Sequence, residues 1–292
     1  MKEQYMNTPL KVFDLEYLIN LDGEDVLYNQ VSDQFNEITR GFYASANLEL
    51  LQHLKLNDTT QVLDLACGTG HLAIEIAKRI PKGKVRGVDV SPQMLAKAKK
   101  DALAAGCQNI EFLERNIHDV LPGIQAGDFQ VGVSCFALSY LGCDFLLKEF
   151  RTILGETGQV GITTSSTNSL VEWQPLFMEF IMEHSELVSQ FDITEIPDMP
   201  SGEEDMLSRM QSAGFINPQV KAIQVPLVFE NSQEAASYLI SAGWLSNYFF
   251  RVKNKDLRRQ FLEWGLKRID EHHQKDPHIS TCIEFLVAWN EP

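Results

Sequence analysis

A chain of 292 residues with 44% apolar and 22% charged side chains suits one large globular domain, or a domain carrying a substantial insertion, and excludes a disordered or low-complexity chain. Forty acidic against 25 basic residues give a formal charge of −15, which repels a phosphate backbone and argues against nucleic acid as a partner. No apolar run approaches the length of a bilayer span, acidic residues interrupt the start where a signal peptide needs an apolar core, and five scattered cysteines without CxxC spacing fit a reducing cytoplasm.

Residues 1–22 are mixed and read as peripheral. From Glu24 to about Leu54 apolar residues recur at helical spacing (Val26, Leu27, Val31, Phe35, Ile38, Phe42, then Leu48, Leu51 and Leu54), predicting two helices broken near Gly41. Strands and helices then alternate. Strands are expected at Gln61–Ala66, Val85–Val90, Asn109–Glu114, Phe129–Phe136 and Gln159–Thr164, with helices at His71–Arg79, Pro92–Ala105 and Phe145–Leu154. Ser91 followed by Pro92 is a helix start with a cap and a first-turn proline. This alternation predicts a doubly wound α/β fold, a mostly parallel sheet covered by helices on both faces. Residues 168–213 look helical and rich in large apolar groups (Trp173, Phe177, Phe180, Met206, Met210), which suits a ligand lid and a helix pair packed on the core equally well. A strand at Val220–Phe229, helices from Ser232 to His272 and a strand at Cys282–Trp289 complete a seven-stranded sheet with an antiparallel edge. Four segments follow: a helical cap over 1–58, a cofactor-binding core over 59–165, a helical lid over 166–218, and strands and helices completing the sheet over 219–292.

The run from Val62 to Gly70, VLDLACGTG, carries the most chemistry. An apolar strand ends in a turn of small residues, where Ala66, Gly68 and Gly70 let a ligand approach the backbone. Asp89 closes the next strand about twenty residues on, in reach of a ribose. The turn also satisfies GxGxxA through Gly68, Gly70 and Ala73, so a nicotinamide dinucleotide is the alternative cofactor and a dehydrogenase the alternative enzyme. Asp64 at the strand end argues the other way: a carboxylate there welcomes a cationic amino group and repels a pyrophosphate. Asn116 after the third strand has an amide able to read an adenine edge.

The stretch from Val62 to about Leu141 resembles the class I S-adenosylmethionine-dependent methyltransferases, in particular the branch acting on quinones and other small molecules. The family's D/ExGxGxG loop looks like Asp64, Ala66, Gly68 and Gly70 here, with Ala66 in place of the first glycine. Its ribose acid corresponds to Asp89, with Val90 beside it, and Met94 matches a position that packs on adenine. Its GDA segment matches Arg115, Asn116 and Ile117; its FDxV matches Phe129, Gln130 and Val131; its LHHL becomes Leu138, Ser139, Tyr140 and Leu141, without the histidines. The resemblance implies S-adenosyl-L-methionine as cofactor, held by Tyr28, Asp64, Ala66, Gly68, Gly70, Asp89, Val90, Met94, Asn116, Ile117 and Phe136. The helices around Tyr28 and Tyr43 look like the N-terminal cap of this branch.

Methyl transfer needs positioning, exclusion of water and, for oxygen or nitrogen acceptors, removal of a proton. Tyr28, Tyr140 and His184 are the candidates for that last task, each with an ordinary structural role as its alternative. Trp244, Tyr248, Phe249 and Phe250 suit the wall of an apolar acceptor site or plain core packing. His272, His273 and His278 lack metal-ligand spacing, so no metal is expected. The expectation is methyl transfer, with O-methylation first and C-, N- or carboxyl methylation open, to a lipophilic or aromatic metabolite of a quinone or natural-product pathway. A protein that binds the cofactor without transferring its methyl group remains a further alternative. A monomer or a homodimer is expected, with a small-molecule acceptor as partner.

Overall fold

The computed structural model describes residues 13–39, 41–192, 198–273, 276 and 278–291. Its seven strands are β1 (Gln61–Leu65), β2 (Lys84–Asp89), β3 (Ile110–Glu114), β4 (Val131–Cys135), β5 (Gln159–Ser165), β6 (Pro218–Phe229) and β7 (Ile279–Asn290), in one sheet ordered β3-β2-β1-β4-β5-β7-β6. The first five pair in parallel, and β7 runs antiparallel to β5, with Gly161 opposite Trp289 and Ser165 opposite Phe285. The order reverses direction between β1 and β4, and a crevice at such a switch point, outside the carboxyl ends of the strands, is where open α/β sheets bind ligands.

The chain divides into two compact units. The sheet unit comprises Phe42–Thr167, Pro197–Ile223 and Glu284–Pro292. Side chains alternate across its strands, so Val62 faces one layer while Leu63 and Leu65 face the other. The first layer packs helices α4 (Phe42–Leu51) and α5 (His71–Ala77) through Leu50, Leu51, Leu72 and Ile76. The second packs α9 (Cys143–Leu154) through Leu146, Leu147, Phe150, Ile153 and Leu154, whose three-and-four spacing makes one apolar stripe. Between β2 and β3 lies α6 (Pro92–Ala104), capped by Ser91, whose Oγ accepts the Met94 N–H at 3.2 Å.

The helical unit comprises the chain up to Gly41, Asn168–Ile196 and Gln224–Ile283. It contains α1 (Leu15–Asn20), α2 (Glu24–Val31), α3 (Phe35–Ile38), α10 (Pro175–Glu183), α12 (Ser232–Ser241), α13 (Ser246–Phe250) and α14 (Lys255–His272). An aromatic core of Phe177, Phe180, Phe191, Val252 and Leu257 gathers here. Arg258, only 2% exposed, donates from Nη1 to the Ile19 and Leu21 carbonyls at 2.9 and 2.8 Å, closing the end of α1. Its guanidinium also lies over the Phe250 ring, 4.8 Å from the centroid.

Three expectations differ from this arrangement. Residues 13–22 are not peripheral, since Leu18 and Ile19 in α1 are buried; residues 1–12 lie outside the described residues. The stretch 168–213 is not one helical lid. Its α10 belongs to the helical unit, whereas α11 (Glu203–Ser212) sets Met206 and Met210 in the core beneath the sheet, the packing alternative. Helices α12 to α14 group with the N-terminal helices rather than with the last strands, and α4 groups with the sheet, because burial of each apolar face decides the neighbours. The segment 272–278, whose histidines were weighed as metal ligands, includes 274, 275 and 277, which lie outside the described residues. Among the described residues no helix is long and apolar enough to cross a membrane.

Candidate cofactor-binding site

β1 is central and buried from Val62 to Leu65, and Asp64 is its last residue but one. Asp64 is 2% exposed, and Ser134 on β4 donates its Oγ hydrogen to the Leu65 carbonyl at 2.8 Å, tying the two strands at the switch point. The turn that follows is left-handed three times in five residues: Ala66 at φ +58°, Gly68 at +53° and Gly70 at +72°. Glycine adopts this region without penalty; Ala66 does so at a cost of roughly 1–2 kcal/mol. A Cβ placed on Gly68 would meet nothing within 4 Å, so the loop backbone borders open space that a ligand can fill. Gly70 is different. A Cβ there would lie 2.9 Å from Ala98 Cβ and 3.0 Å from Phe112 Cζ, so this glycine seats the loop against α6 and β3. Gly70→Ala is expected to destabilise the protein by about 1–3 kcal/mol through strain and overpacking. An unchanged urea-unfolding midpoint would contradict that contact.

Asp89 joins the loop to the next strand. Its Oδ2 accepts the Gly68 N–H at 2.8 Å and its Oδ1 the Ser91 N–H at 2.9 Å. The Cys67 N–H donates to the Val88 carbonyl at 3.0 Å, and the Arg115 N–H to the Asp89 carbonyl at 3.1 Å, so the ends of β1, β2 and β3 are held as one edge. Burial pushes the Asp89 carboxyl above the ordinary range, opposed by the backbone N–H groups of Ser91, Gly68 and Val90. Asp64 is pushed well above it, first by burial and then by the negative charge of Asp89. A cation brought beside these two carboxyls relieves both effects. Burial, and then the charges of Asp64 and Asp89, also push the Cys67 thiol up.

The other expected residues fall into three groups. Val90 is 63% exposed beside the acid, while Met94 and Ile117 are buried. Asn116 caps the short helix α7 (Ile117–Val120), its Oδ1 accepting the His118 N–H at 3.0 Å, so the carbonyl oxygen of this amide serves the backbone. Phe136 follows β4 at φ +55°, with the Tyr43 ring 4.1 Å and the Phe285 ring 5.2 Å from it. Tyr140 stands 48% exposed on α8 (Leu138–Leu141), after β4.

Tyr28 and His184 belong to the helical unit. A Cβ on Gly243 would approach the Tyr28 hydroxyl to 2.7 Å, so that glycine makes room for the tyrosine. The His184 ring lies tilted against Phe180 with centroids 4.2 Å apart, and its Nδ1 is 3.0 Å from the Phe180 carbonyl, which requires a proton on Nδ1. Of the four aromatics considered for an acceptor wall, Tyr248 and Phe249 line a cavity in the same unit, while Phe250 lies under Arg258.

Sequence reasoning missed Asn47, whose Oδ1 accepts from Thr163 Oγ1 at 3.1 Å, and Glu284, whose Oε1 accepts from Ser166 Oγ at 2.6 Å. All four are buried where β5 and β7 meet α4 and the β5 terminus. The signals were present: a Thr-Thr-Ser-Ser run ends a buried strand, and a glutamate interrupts the apolar β7.

A methyltransferase-domain family model matches residues 62–158, the stretch from β1 to the turn before β5. The chain is 24% identical over 165 residues to the aklanonic acid methyltransferase of Streptomyces sp. (strain C5), spanning 54% of this chain and 74% of that one. It is 32% identical over 155 residues to the demethylmenaquinone methyltransferase of Lactobacillus johnsonii, spanning 51% and 63%. The solved YcgJ protein of Bacillus subtilis shares the fold with a TM-score of 0.57 at 16% identity, over 85% of this chain and all of that one. The acid-bracketed loop fits a sulfonium amino acid joined to a nucleoside, which asks for a carboxylate at each end. Residues 62–158 accordingly form a methyltransferase domain similar to those of small-molecule methyltransferases, and its cofactor is S-adenosylmethionine rather than a nicotinamide dinucleotide.

Proposed function

We propose that this methyltransferase acts on a small lipophilic or aromatic metabolite and that the acceptor atom is oxygen. The observation that carries the cofactor half is the pairing of Asp64 and Asp89 across a loop with open space above Gly68. Ionised Asp64 would hold the amino group of the bound cofactor, and Asp89 the ribose hydroxyls while keeping its two backbone N–H bonds. Val90, Met94 and Ile117 would cover the adenine, with Asn116 at its edge through the amide nitrogen left by the cap. The Phe136 and Tyr43 rings would shield the crevice from water.

The cofactor supplies a methyl group on a positively charged sulfur, so the leaving group needs no acid from the protein. What the chain must do is align the acceptor and exclude water. A phenolic acceptor would also surrender a proton, for which Tyr140 stands exposed on α8 and Tyr28 and His184 are further candidates. The names of the relatives, an aklanonic acid methyltransferase and a demethylmenaquinone methyltransferase, support a small-molecule acceptor. The chain's charge of −15 supports a small molecule over nucleic acid.

Incubation with S-adenosylmethionine labelled in the methyl group and an extract of host metabolites should yield a labelled, organic-extractable product carrying an O-methyl carbon resonance. Label that never leaves the cofactor across a broad panel would overturn methyl transfer; label on carbon or nitrogen would overturn only the oxygen assignment.

A further inference from the structure

On one face of the sheet, polar side chains replace carbon toward the carboxyl ends of the strands. Asp64 shares its face of β1 with Val62, the face that packs on α4 and α5. Cys135 lies on the same face of β4, packed with Val131 and Val133. Thr163 stands opposite Cys135 on β5, and Asn47 meets it from α4, its Oδ1 accepting the Thr163 Oγ1 hydrogen at 3.1 Å. The Cys135 thiol lies between the ends of this row: burial and then the Asp64 charge push it up, opposed by hydrogen bonding from Thr163. Aspartate, cysteine, threonine and asparagine thus run in one row from β1 to α4, all inside the sheet unit.

The two ends of the row are open, in opposite senses. Asp64 is 2% exposed, and among the described residues nothing donates a hydrogen bond to its carboxyl. Asn47 is 7% exposed; its oxygen is committed to Thr163, and its Nδ2 has no acceptor among the described residues. Neither the carboxyl oxygens nor Nδ2 belong to the side-chain atoms sealed from solvent without a partner, so each faces the little accessible space left. Buried polar groups are almost always paired, and an acceptor and a donor left facing such space mark where the groups of a ligand arrive. β1 and β5 are two strand spacings apart, roughly 10 Å. A hydrogen bond at each end takes up about 6 Å of that. An α-amino acid head fits what remains, since its nitrogen and carboxylate oxygen are joined through three bonds of about 1.2–1.5 Å each.

We infer that Asn47 holds the carboxylate of the cofactor's methionine half while Asp64 holds its amino group. This rests on the reading of Asp64 given above. A zwitterion carries a cation and an anion on one carbon, and the row offers a carboxyl at one end and an amide donor at the other. Being neutral, the amide binds the carboxylate without cancelling the Asp64 charge that the ammonium needs. Asn47 is thus a binding residue that checks for an amino acid on the cofactor.

Calorimetric titration of the full chain with S-adenosylmethionine and with its decarboxylated form, which keeps the ammonium and lacks the carboxylate, tests this. The wild type should bind the decarboxylated form about tenfold or more weakly, the scale of one hydrogen bond to a charged group. Asn47→Ala should lose that preference by weakening S-adenosylmethionine alone. Asn47→Asp keeps an acceptor for Thr163 but sets a charge against the carboxylate, so it should invert the preference. Should Asn47→Ala not fold, that inversion carries the test. A role confined to holding Thr163 predicts instead that Asn47→Asp behaves as wild type and that Asn47→Ala weakens both ligands alike. Either of those patterns, or a wild type without preference, overturns the inference. Asp64→Asn separates the two readings, because it should weaken both ligands and leave the preference in place. Equal binding by Asp64→Asn and wild type would remove the Asp64 reading, and a wild type that binds no S-adenosylmethionine would remove both.

Discussion

Asp89→Ala is expected to weaken S-adenosylmethionine binding by at least about 150-fold, because the two charge-assisted hydrogen bonds proposed to the ribose hydroxyls, about 1.5–3 kcal/mol each, are both lost. The same carboxylate accepts the Gly68 and Ser91 N–H groups, so the variant also loses the brace that holds the glycine loop against β2. Stability should change little. The lost backbone bonds are offset by relief of a carboxyl that burial already strains toward its neutral form. Asp89→Asn keeps an acceptor for one N–H and should lie between alanine and wild type. Calorimetric titration gives the affinity, and thermal unfolding shows the fold intact. An affinity within twofold of wild type in the alanine variant would sink the ribose role.

Asp64 predicts a different pattern, in which stability and binding move in opposite directions. Its folded-state pKa lies well above the ordinary carboxylate value, from burial first and from Asp89 second. A carboxyl raised on folding adds stability while protonated, and that contribution is lost as pH rises from the unfolded value of about 4 through the raised folded value. The cofactor-free protein should therefore lose part of its stability from this group as the solution goes from mildly acidic toward neutral and above. Asp64→Asn should flatten that dependence, because the amide does not titrate.

Binding should respond the other way. An ammonium group placed beside Asp64 favours the ionised form, so cofactor binding expels a proton and its affinity falls as pH drops. Titrations in phosphate and in Tris, buffers of different ionisation enthalpy, should differ in apparent heat by the proton released. Asp64→Asn should abolish that difference and cost about 2–5 kcal/mol of binding, the scale for removing one partner of a desolvated charge pair. A variant that binds as tightly as wild type, with the same buffer dependence, would remove Asp64 from the site.

The parallel half of the fold was legible because its strands are short, β1 and β4 are almost wholly buried, and caps such as Ser91 mark the helices between strands. The site was legible where spacing along one strand-turn-helix unit creates it: Asp64, Gly68 and Gly70 from the turn, and Asp89 from the next strand end. Ala66 and Phe136 are left-handed without being glycine, and nothing local signals that; Phe136 is held there by its N–H on the Thr163 carbonyl at 2.7 Å. Tyr43 and Glu284 reach Phe136 and Ser166 from remote parts of the chain. The six-residue α1 is too short to show a period, and its burial follows from Arg258, more than two hundred residues away in sequence. The grouping of α12 to α14 with the N-terminal helices likewise reflects packing that periodicity does not encode.

The strand order also sets a timetable for folding. β7 lies between β5 and β6 yet is made after both, so a chain growing from its N-terminus completes β5 and β6 before the strand that separates them exists. Until then β5 presents an open row of backbone N–H and C=O groups, a template for pairing with other chains. The carboxamide of Asn290, which accepts the Val160 N–H at 2.7 Å, closes the start of that edge only when the strand is in place. Nascent chains stalled short of Ile279 should be the aggregating species during synthesis, and co-translational chaperones should bind most strongly to that interval.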